Sequence, residues 1–359
     1  MLATIESPTH DKAAVDRCGS ALQTVLEGVG ATVGTTHQAD YGNHLRAEFG
    51  DPDATRILML GHIDTVWDIG TIQRMPVRQD GDWLAGPGVF DMKSGIVCGI
   101  LATMAAREVG HGANVVMLWT TDEEIGSPTS REMIEAEARQ ARAVLVLEPS
   151  LPGGAVKTSR RGCLLYNIEL MGRAAHAGIE PEAGASAIHE LTHQLSAILK
   201  LHAGAPGVTV NVGVVSGGTR SNVVAESARA QIDIRVTSLA EAQRVDAAMR
   251  SLSLVDPRTT LCISGGIDRP PFERNASVNW IFQLAKGVAH GLEFELEEGS
   301  TGGGSDGNFT AALGIPTLDG LGPEGRGAHA AHEAVDTRTL TTRAALIAGV
   351  IEAVSTVDR

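Results

Sequence analysis

Histidine and carboxylate side chains follow three short apolar segments of the chain. The segment RILML leads into His62 and Asp64, NVVMLW leads into the adjacent Glu123 and Glu124, and AVLVL leads into Glu148. Apolar runs of this length, bounded by polar residues, predict buried strands. In an open α/β sheet, the residues that follow parallel strands meet at one edge, where ligands bind. The sequence therefore predicts one site that contains an imidazole and several carboxylates.

Each of these features also has a structural explanation when it is taken alone. His62 and Asp64 lie on one face of an extended segment, so the carboxylate can orient the imidazole, but an HxD pair by itself is a weak indication. Asp91, in the Gly-rich turn GPGVFDMK, is also an N-cap candidate for the helix that follows. Glu123 and Glu124 could be surface acids, yet two adjacent carboxylates after a buried strand suit one metal ligand and one proton acceptor.

Strands and helices alternate over the first 150 residues, a pattern that predicts an α/β fold with a largely parallel sheet. Between residues 164 and 264 the pattern becomes β-α-β-β-α-β, the order of a ferredoxin-like unit. Gly- and Pro-rich stretches flank this region and predict linkers, Leu151 to Gly154 before it and Gly265-Gly266 with Pro270-Pro271 after it. The expected architecture is one discontinuous domain, residues 1–160 and 270–359, with a second domain inserted at 161–269.

The composition excludes several classes of protein. There are 43 Asp+Glu against 29 Lys+Arg, for a formal net charge of -14, and only 4 Trp, 2 Tyr and 6 Phe, which argues against a nucleic-acid partner. No signal-peptide pattern and no run of about 18 apolar residues is evident, so we expect a cytoplasmic protein without a membrane partner. The four cysteines lie far apart, so any metal is expected to use His and carboxylate ligands.

Seven motifs occur along the chain in this order: GHIDTV, GPGVFDMKSG, TTDEEIGS, LEPS, GRAAHAG, GGGSDGN and GAHAAHE. Together they resemble the zinc-dependent aminoacylase and glutamate carboxypeptidase family, which includes succinyl-diaminopimelate desuccinylase and acetylornithine deacetylase. Within it, the carboxypeptidase G branch is the most similar. The resemblance runs from about Ser7 to the C-terminus. It implies a zinc-peptidase-like α/β domain, whose mostly parallel sheet has helices on both faces, and an inserted ferredoxin-like α+β domain for dimerisation that also acts as a lid.

The resemblance implies a centre of two Zn²⁺ ions per subunit, for which Co²⁺ or Mn²⁺ could substitute. The implied ligands are His62 and Glu148 for one metal, Glu124 and His329 for the other, and Asp91 for both. Asp64 would orient His62, Glu123 would be the general base, and the peptide between Asp91 and Met92 would be cis.

Two histidines compete for the last ligand position. The family pattern is a His followed four residues later by Glu, and His329 with Glu333 satisfies it. His332 is the alternative.

Other residues are implied to contact the substrate. His176 and Asn222 would reach from the inserted domain of one subunit into the active site of the other and stabilise the oxyanion. Arg235 and Arg269 match positions that hold substrate carboxylates, with an ordinary salt bridge as the alternative for each.

The stretch GGGSDG lacks the GK[ST] ending of a phosphate-binding loop. By resemblance it lines the substrate, and Gly303 and Gly304 let the backbone approach the ligand closely.

The expected function is a metal-dependent hydrolase that cleaves an amide bond next to a free carboxylate. The preferred form is a glutamate carboxypeptidase-type exopeptidase that releases a C-terminal acidic amino acid from small N-acyl or peptidyl substrates, acting as a homodimer. The first alternative is an N-acyl-amino-acid deacylase. A more remote alternative is a catalytically inactive metal-binding scaffold, but a scaffold has no need for the proton-transferring carboxylate of Glu123.

Overall fold

The computed structural model describes residues 1–110 and 112–357, and the chain forms two compact units. Unit 1 comprises Met1–Ser159, Glu273–Thr301 and Ser305–Arg359, and unit 2 comprises Arg160–Phe272 and Gly302–Gly304. The predicted domain boundaries lie within three residues of the positions where the chain enters unit 2 and first leaves it. The glycines at 302–304, expected in the discontinuous domain, group with unit 2.

Helices and strands alternate in the first part of unit 1. In chain order they are α1 (Lys12–Gly28), β1 (Thr32–Thr36), β2 (His44–Phe49), β3 (Arg56–His62), α2 (Thr71–Arg74), β4 (Arg78–Asp80), β5 (Trp83–Ala85), α3 (Ser94–Glu108), β6 (Asn114–Thr120), α4 (Arg131–Ala138), β7 (Ala143–Val146) and β8 (Val156–Arg160).

Unit 2 and the return to unit 1 supply the remaining elements. Unit 2 contains β9 (Gly162–Met171), α5 (Ala187–Ile198), β10 (Thr209–Gly217), β11 (Ser227–Val236), α6 (Leu239–Arg250) and β12 (Thr260–Arg269). The last part of unit 1 contains α7 (Ala276–Gly291), β13 (Glu298–Thr301), α8 (Gly307–Ala312), β14 (Thr317–Leu318), β15 (Gly325–Arg326), β16 (Ala334–Asp336) and α9 (Thr339–Thr356).

A six-stranded sheet with the order β1-β2-β6-β3-β7-β14 is the framework of unit 1. The four strands β6, β3, β7 and β14 run parallel, whereas β2 is antiparallel to β6 and β1 is antiparallel to β2. The mostly parallel sheet is therefore confirmed. Its antiparallel edge was not predicted, because β1 is largely exposed and β2 mixes charged with apolar residues.

Helices cover both faces of this sheet, as predicted. Along β3, Ile57 and Met59 pack into a core with α1, α3, α7 and α9, whereas Leu58 and Leu60 pack with α4 and α8. Neighbouring side chains of a strand point to opposite faces, so the middle of β3, from Ile57 to Leu60, needs apolar residues at every position. Full burial of one such side chain contributes about 1.5–3 kcal/mol. The strands that lead to the predicted site are thus held firmly on both sides.

A smaller antiparallel sheet, ordered β15-β16-β5-β4, connects two distant parts of unit 1. Ala334 in β16 pairs with Ala85 in β5, so the segment before Asp91 lies beside the segment after His329.

Unit 2 has the predicted β-α-β-β-α-β order and forms an antiparallel sheet ordered β10-β11-β9-β12. Alternate residues of β9, such as Leu164, Tyr166 and Ile168, are buried in a core with α5 and α6. This one-sided burial is typical of a ferredoxin-like sheet with its helices on one face.

Gly265 and Gly266, which were predicted as part of a linker, lie inside β12 instead. A Cβ atom on Gly265 would lie 2.0 Å from the carbonyl oxygen of Leu165 in β9, and Gly265 has φ +97°. The glycine therefore permits a close approach between paired strands rather than a change of domain.

One stretch of the described residues, Val89–Glu108, which contains α3, is long and apolar enough to cross a membrane by length and composition. Most of it is buried within the protein, and the central helix of a packed core meets the same criteria.

Candidate metal centre

Three neighbouring parallel strands deliver polar side chains to one edge of the six-stranded sheet. His62 is the last residue of β3, which lies between β6 and β7. Glu123 and Glu124 occupy a 3₁₀ turn, Glu123–Ile125, just after β6, and Glu148 follows β7 by two residues. The sheet therefore brings together the side chains that the three sequence segments predicted.

Asp91 reaches the same edge from the turn between β5 and α3. The peptide bond between Asp91 and Met92 is cis, as the resemblance implied. Asp91 does not cap α3. The N-cap residue of α3 is Lys93, and the side chain of Lys93 makes no capping hydrogen bond. The N-cap interpretation of Asp91 is therefore wrong, because the Asp91 side chain faces the histidines rather than the helix.

The Asp91 carboxylate lies between two imidazoles. Its Oδ1 is 3.3 Å from Nε2 of His62, and its Oδ2 is 3.3 Å from Nε2 of His329. His62 Nε2 is also 3.5 Å from Glu148 Oε1, and His329 Nε2 is 3.2 Å from Glu124 Oε2. One carboxylate thus faces both histidines, and each histidine faces one further carboxylate, which is the arrangement expected of a bridged pair of metal ions.

Glu123 lies close to the same cluster. Ligand atoms of His62, Glu123 and Glu148 all lie within 4.8 Å of one another, as do those of His62, Asp91 and Glu124. The position of Glu123 is therefore compatible both with metal binding and with proton transfer.

His329 sits in a turn between β15 and β16 with a left-handed backbone, φ +61°. This conformation is uncommon for a residue other than glycine and costs about 1–3 kcal/mol when the surroundings impose it. His332 is exposed and lines a separate cavity of about 240 Å³ with Arg74 and Trp83. The structure therefore brings His329, and not His332, to Asp91 and Glu124.

The charges of the cluster shift the pKa values of its members. Burial disfavours the charged form of His62, yet hydrogen bonds to Asp64, Asp91 and Glu148 raise its pKa well above the ordinary value. Asp91 and Glu124 raise the pKa of His329 to about 10. Burial raises the pKa of Glu124, despite its hydrogen bond with His329. In this arrangement protons on the imidazoles balance the carboxylates, a task that metal cations can take over.

The donor set fits divalent metal ions such as Zn²⁺. Two imidazoles and three carboxylates provide the N and O ligands that Zn²⁺ accepts. Glu124 Oε1 is buried and has no hydrogen-bond partner among the described residues. Leaving such an oxygen unsatisfied costs about 1–3 kcal/mol or more, and a cation bound there would remove this cost.

Asp64 supports His62 in two ways. Its backbone carbonyl oxygen is 3.0 Å from Nδ1 of His62, closer than its carboxylate Oδ1 at 3.4 Å. Its other carboxylate oxygen accepts a hydrogen bond from the Thr9 hydroxyl at 2.8 Å. The carbonyl of Asp64, more than its carboxylate, is placed to fix the tautomer of His62 so that Nε2 faces the metal position.

The buried carboxylate of Glu333 organises the Asp91 turn. Its Oε1 accepts hydrogen bonds from the backbone N–H groups of Phe90 and Asp91 at 2.9 and 3.1 Å. Its Oε2 accepts from Gly88 N at 3.0 Å and from Trp67 Nε1 at 2.7 Å. The sequence indicated Glu333 only through its spacing from His329, and this role was not predicted.

Two further carboxylates that were not predicted hold the turn with Glu123 and Glu124. Asp122 accepts hydrogen bonds from the hydroxyls of Thr129 and Ser130, at 2.7 and 2.6 Å. Asp306 accepts from the hydroxyls of Thr120 and Ser127. Thr129 and Ser130 follow Asp122 by seven and eight residues in the segment TTDEEIGSPTS. This short spacing is the sequence feature that could have indicated the contacts.

The predicted substrate-binding residues of unit 2 fall into two groups. His176 and Asn222 are exposed and adjacent, since His176 forms a β-bridge with Val223 and the N–H of Ala177 donates to the Asn222 carbonyl at 3.0 Å. Neither belongs to the metal-binding cluster of unit 1.

The two arginines differ from each other. Arg235 is paired with Asp233 through two hydrogen bonds of 2.7 Å, which is the ordinary salt bridge weighed as its alternative. Arg269 is 5% exposed, and a Cβ on Gly304 would lie 2.8 Å from its Cδ. The carbonyl oxygens of Gly303 and Gly304 accept hydrogen bonds from Arg160 at 3.2 and 3.0 Å, which fixes this glycine segment within unit 2.

Residues 58–353 match the family model of Peptidase family M20/M25/M40. The chain belongs to this family. Membership agrees with the resemblance seen in the seven motifs, and the family is one of hydrolases, which favours an enzyme over an inactive scaffold.

Curated relatives and solved structures are similar to the chain over different lengths. Carboxypeptidase G2 of Pseudomonas sp. (strain RS-16) is 29% identical over 344 residues, which cover 91% of this chain and 81% of that protein. Acetylornithine deacetylase of Myxococcus xanthus is 31% identical over 193 residues, 50% of this chain and 49% of that protein. The YXEP protein of Bacillus subtilis, described as a dinuclear metal-binding peptidase from the M20 family, has a TM-score of 0.68 at 14% identity and covers 99% of this chain and 95% of its own. The structural match shows the fold alone.

Replacing Glu333 by Gln should weaken metal binding. The amide places an N–H₂ group against backbone N–H donors, so the Asp91 turn loses part of its support. Changes to such outer partners typically cost about 10 to 100-fold in metal affinity. Zinc affinity measured by chelator competition checks this, and Glu135→Gln on the surface of α4 is the matched control. Equal affinity in wild type and Glu333→Gln would contradict the positioning role.

Replacing His329 by Ala should weaken binding of one metal ion, whereas His332→Ala should leave metal binding unchanged. The reason is that only His329 faces Asp91 and Glu124. Because the pKa of His329 is raised to about 10, its proton is present at neutral pH and must leave when metal binds. Metal binding should therefore strengthen as pH rises from 6 to 8, and His329→Ala should release one proton fewer. Zinc content after dialysis and calorimetry in buffers of different ionisation enthalpy measure both effects; equal zinc loss in the two variants would refute the choice of His329.

Proposed function

We propose that the protein is a dinuclear zinc hydrolase that cleaves an amide bond next to a free carboxylate and releases a C-terminal acidic amino acid such as glutamate. The observation that carries this proposal is the Asp91 carboxylate, with one oxygen facing His62 and the other facing His329. Family membership and the match to carboxypeptidase G2 over most of the chain support it.

In this proposal each residue of the cluster has one task. His62 and Glu148 would hold one zinc ion, His329 and Glu124 would hold the other, and Asp91 would serve both. When bound, zinc supplies a Lewis acid that polarises the amide carbonyl and makes water more acidic. Glu123 is the general base: its carboxylate takes a proton from the attacking water and passes it to the leaving amine, which leaves as a neutral group.

We assign recognition of the substrate carboxylate to Arg269 in preference to Arg235. A planar guanidinium can bind a carboxylate in bidentate fashion, and a buried one does so with little competition from water. Arg235 is partly exposed to solvent. Arg269 is 5% exposed and lies against the glycine segment that was predicted to line the substrate.

The second candidate is an N-acyl-amino-acid deacylase, which the match to acetylornithine deacetylase over half of the chain favours. Both activities cleave the same kind of bond. They differ in which side of the amide carries the recognised group, the released acidic amino acid or a small acyl group.

We also propose a cytoplasmic homodimer that assembles through unit 2. The exposed strand β10 lies at one edge of the unit 2 sheet, with Val214 and Val215 47% and 55% exposed. Edge strands with apolar side chains are ready to pair with another chain. The exposed His176 and Asn222 would then serve the active site of the partner subunit and stabilise the oxyanion.

Zinc-loaded protein should hydrolyse N-benzoyl-glutamate and discriminate strongly against the amide of its α-carboxylate, because a site that binds a charged group rejects an analogue without it. Such discrimination reaches about 10⁴-fold in favourable cases. Initial rates on both compounds and on N-acetyl-ornithine measure it, with Glu123→Gln as the control that keeps zinc but loses about 100 to 10,000-fold in turnover. Equal rates on the acid and the amide would exclude carboxylate recognition, and loss of zinc from Glu123→Gln would make Glu123 a ligand.

Mixing two inactive variants should restore activity if the dimer proposal is correct. His176→Ala and Glu123→Ala each disable both sites of a homodimer, whereas a mixed dimer places both defects in one site and leaves the other intact. Random exchange of equal amounts makes about half of the dimers mixed, so roughly a quarter of wild-type activity should return. Activity after proven subunit exchange is the measurement, and mixing Glu123→Ala with Glu123→Gln is the control that should stay inactive. No recovery would place His176 in its own chain's site or outside catalysis.

A further inference from the structure

A cavity of about 490 Å³ in unit 1 adjoins the candidate metal centre. Its walls are residues 8–11, residues 65–69 except Trp67, and the pair Glu124 and Ile125; we refer to it as the side pocket. Glu124 belongs to both the cavity lining and the metal-binding cluster. The side pocket and the metal-binding cluster therefore share a wall residue.

Hydrogen bonds fix the two main walls of the side pocket to each other. The N–H of Thr9 donates to the Thr65 carbonyl at 3.3 Å, and the N–H of Thr65 donates to the Ser7 carbonyl at 2.8 Å. The Glu6 carboxylate accepts from the N–H groups of Gly70 and Ile72, at 3.0 and 2.8 Å, and so holds the end of the second wall. The side pocket is therefore preformed, as ligand sites usually are.

The same walls are connected to the metal centre. The Thr9 hydroxyl donates to the carboxylate of Asp64 at 2.8 Å, and the backbone carbonyl of Asp64 contacts Nδ1 of His62. The position of the first wall is thus set relative to a metal ligand through two contacts.

Apolar side chains remain exposed in the side pocket. Val66 is 43% and Ile69 is 52% exposed, although both are large aliphatic residues. Ile125 contributes a third, partly buried aliphatic side chain. An apolar group that enters the side pocket would cover this surface and displace water from it.

The charged residues of the side pocket are acidic. Its lining includes the carboxylates of Asp11 and Asp68 besides Glu124, one histidine, His10, and no lysine or arginine among the described residues. One oxygen of Asp11 accepts the N-cap hydrogen bond of α1 from Ala14. With Glu124 neutralised by metal, two carboxylates still oppose the entry of an anion.

We propose that the side pocket binds the acyl portion of the substrate and selects acyl groups with an apolar body and a neutral or cationic character over those with a second carboxylate. This inference rests on the proposed function and deepens it, since it names the class of acyl group. Repulsion from Asp11 and Asp68 disfavours a succinyl group, while Val66 and Ile69 favour an aliphatic or aromatic group of the same length.

The test uses zinc-loaded full-length protein and glutamates that differ only in the acyl group: N-acetyl, N-butanoyl, N-succinyl and N-benzoyl. Wild type should prefer the butanoyl over the succinyl compound in kcat/KM by about tenfold or more, a difference typical of one unfavourable contact in a pocket. Asp68→Asn should narrow this ratio several-fold. Asp53→Asn, at an exposed aspartate before β3, is the matched control and should leave the ratio unchanged.

The apolar wall is tested separately. The double variant Val66→Ser, Ile69→Ser should lower kcat/KM for the benzoyl and butanoyl compounds by about tenfold, and change that for the acetyl compound little, because acetyl is too short to cover both side chains. Val109→Ser, at a side chain that is 69% exposed elsewhere in unit 1, is the control. Thermal unfolding of each variant verifies that the fold is retained.

The outcomes separate this inference from the proposed function. If wild type hydrolyses these glutamates but the double variant slows all four equally, or Asp68→Asn leaves the butanoyl to succinyl ratio unchanged, the side pocket does not bind the acyl group and the proposed function stands. If wild type hydrolyses none of them, the proposed function fails. Calorimetric binding of N-benzoyl-glutamate then tests the side pocket directly: weaker binding by the double variant supports it, and equal binding or none overturns it.

Discussion

The hydrogen bonds to the buried Glu333 carboxylate connect the two chain segments on which the candidate metal centre depends. Its two oxygens accept four hydrogen bonds, three of them from the backbone of the turn that carries Asp91. A carboxylate buried without partners would be very unfavourable, so the turn and the C-terminal segment must stay together wherever Glu333 remains charged. His329 lies four residues earlier on the same segment. The interaction therefore sets the distance between the shared carboxylate of Asp91 and the last histidine.

The parallel sheet supplies the second constraint. His62, Glu124 and Glu148 come from three strands that are neighbours in space and far apart in sequence. Both faces of these strands are covered by helices, so the strand ends cannot shift without disturbing two apolar cores. Side chains that must hold a metal within a few tenths of an ångström benefit from such a support, and the turn residues Asp122 and Asp306 extend it to Glu123 and Glu124.

Carboxylates dominate the charge of the protein and of its metal-binding cluster. The protein has a net charge of -14, and its metal-binding cluster concentrates carboxylates that only protons or cations can balance. In the further proposal, the acyl portion of the substrate enters an acidic, partly apolar side pocket of unit 1. Selection of the acyl group would then depend on its charge in addition to its size.

The sequence by itself determined the α/β class and the inserted ferredoxin-like unit, because buried strands are visible in the order of amino acids. The ends of those strands indicated His62, Glu123, Glu124 and Glu148, whereas Asp91 and His329 were assigned as ligands through the resemblance of the seven motifs. The spacing to Glu333 also favoured His329 over His332, but the sequence did not show the physical reason for that spacing. The antiparallel edge strands, the place of Gly265 within β12, the carboxylates of Glu333, Asp122 and Asp306 as supports, and the side pocket were decided by tertiary structure alone. Each of these depends on contacts between residues that are distant in the chain: a carbonyl of β9 against a glycine of β12, or an indole N–H and a distant glutamate. The local pattern shows which residues are present and how often they recur, whereas a hydrogen bond across 243 residues exists only once the chain has folded.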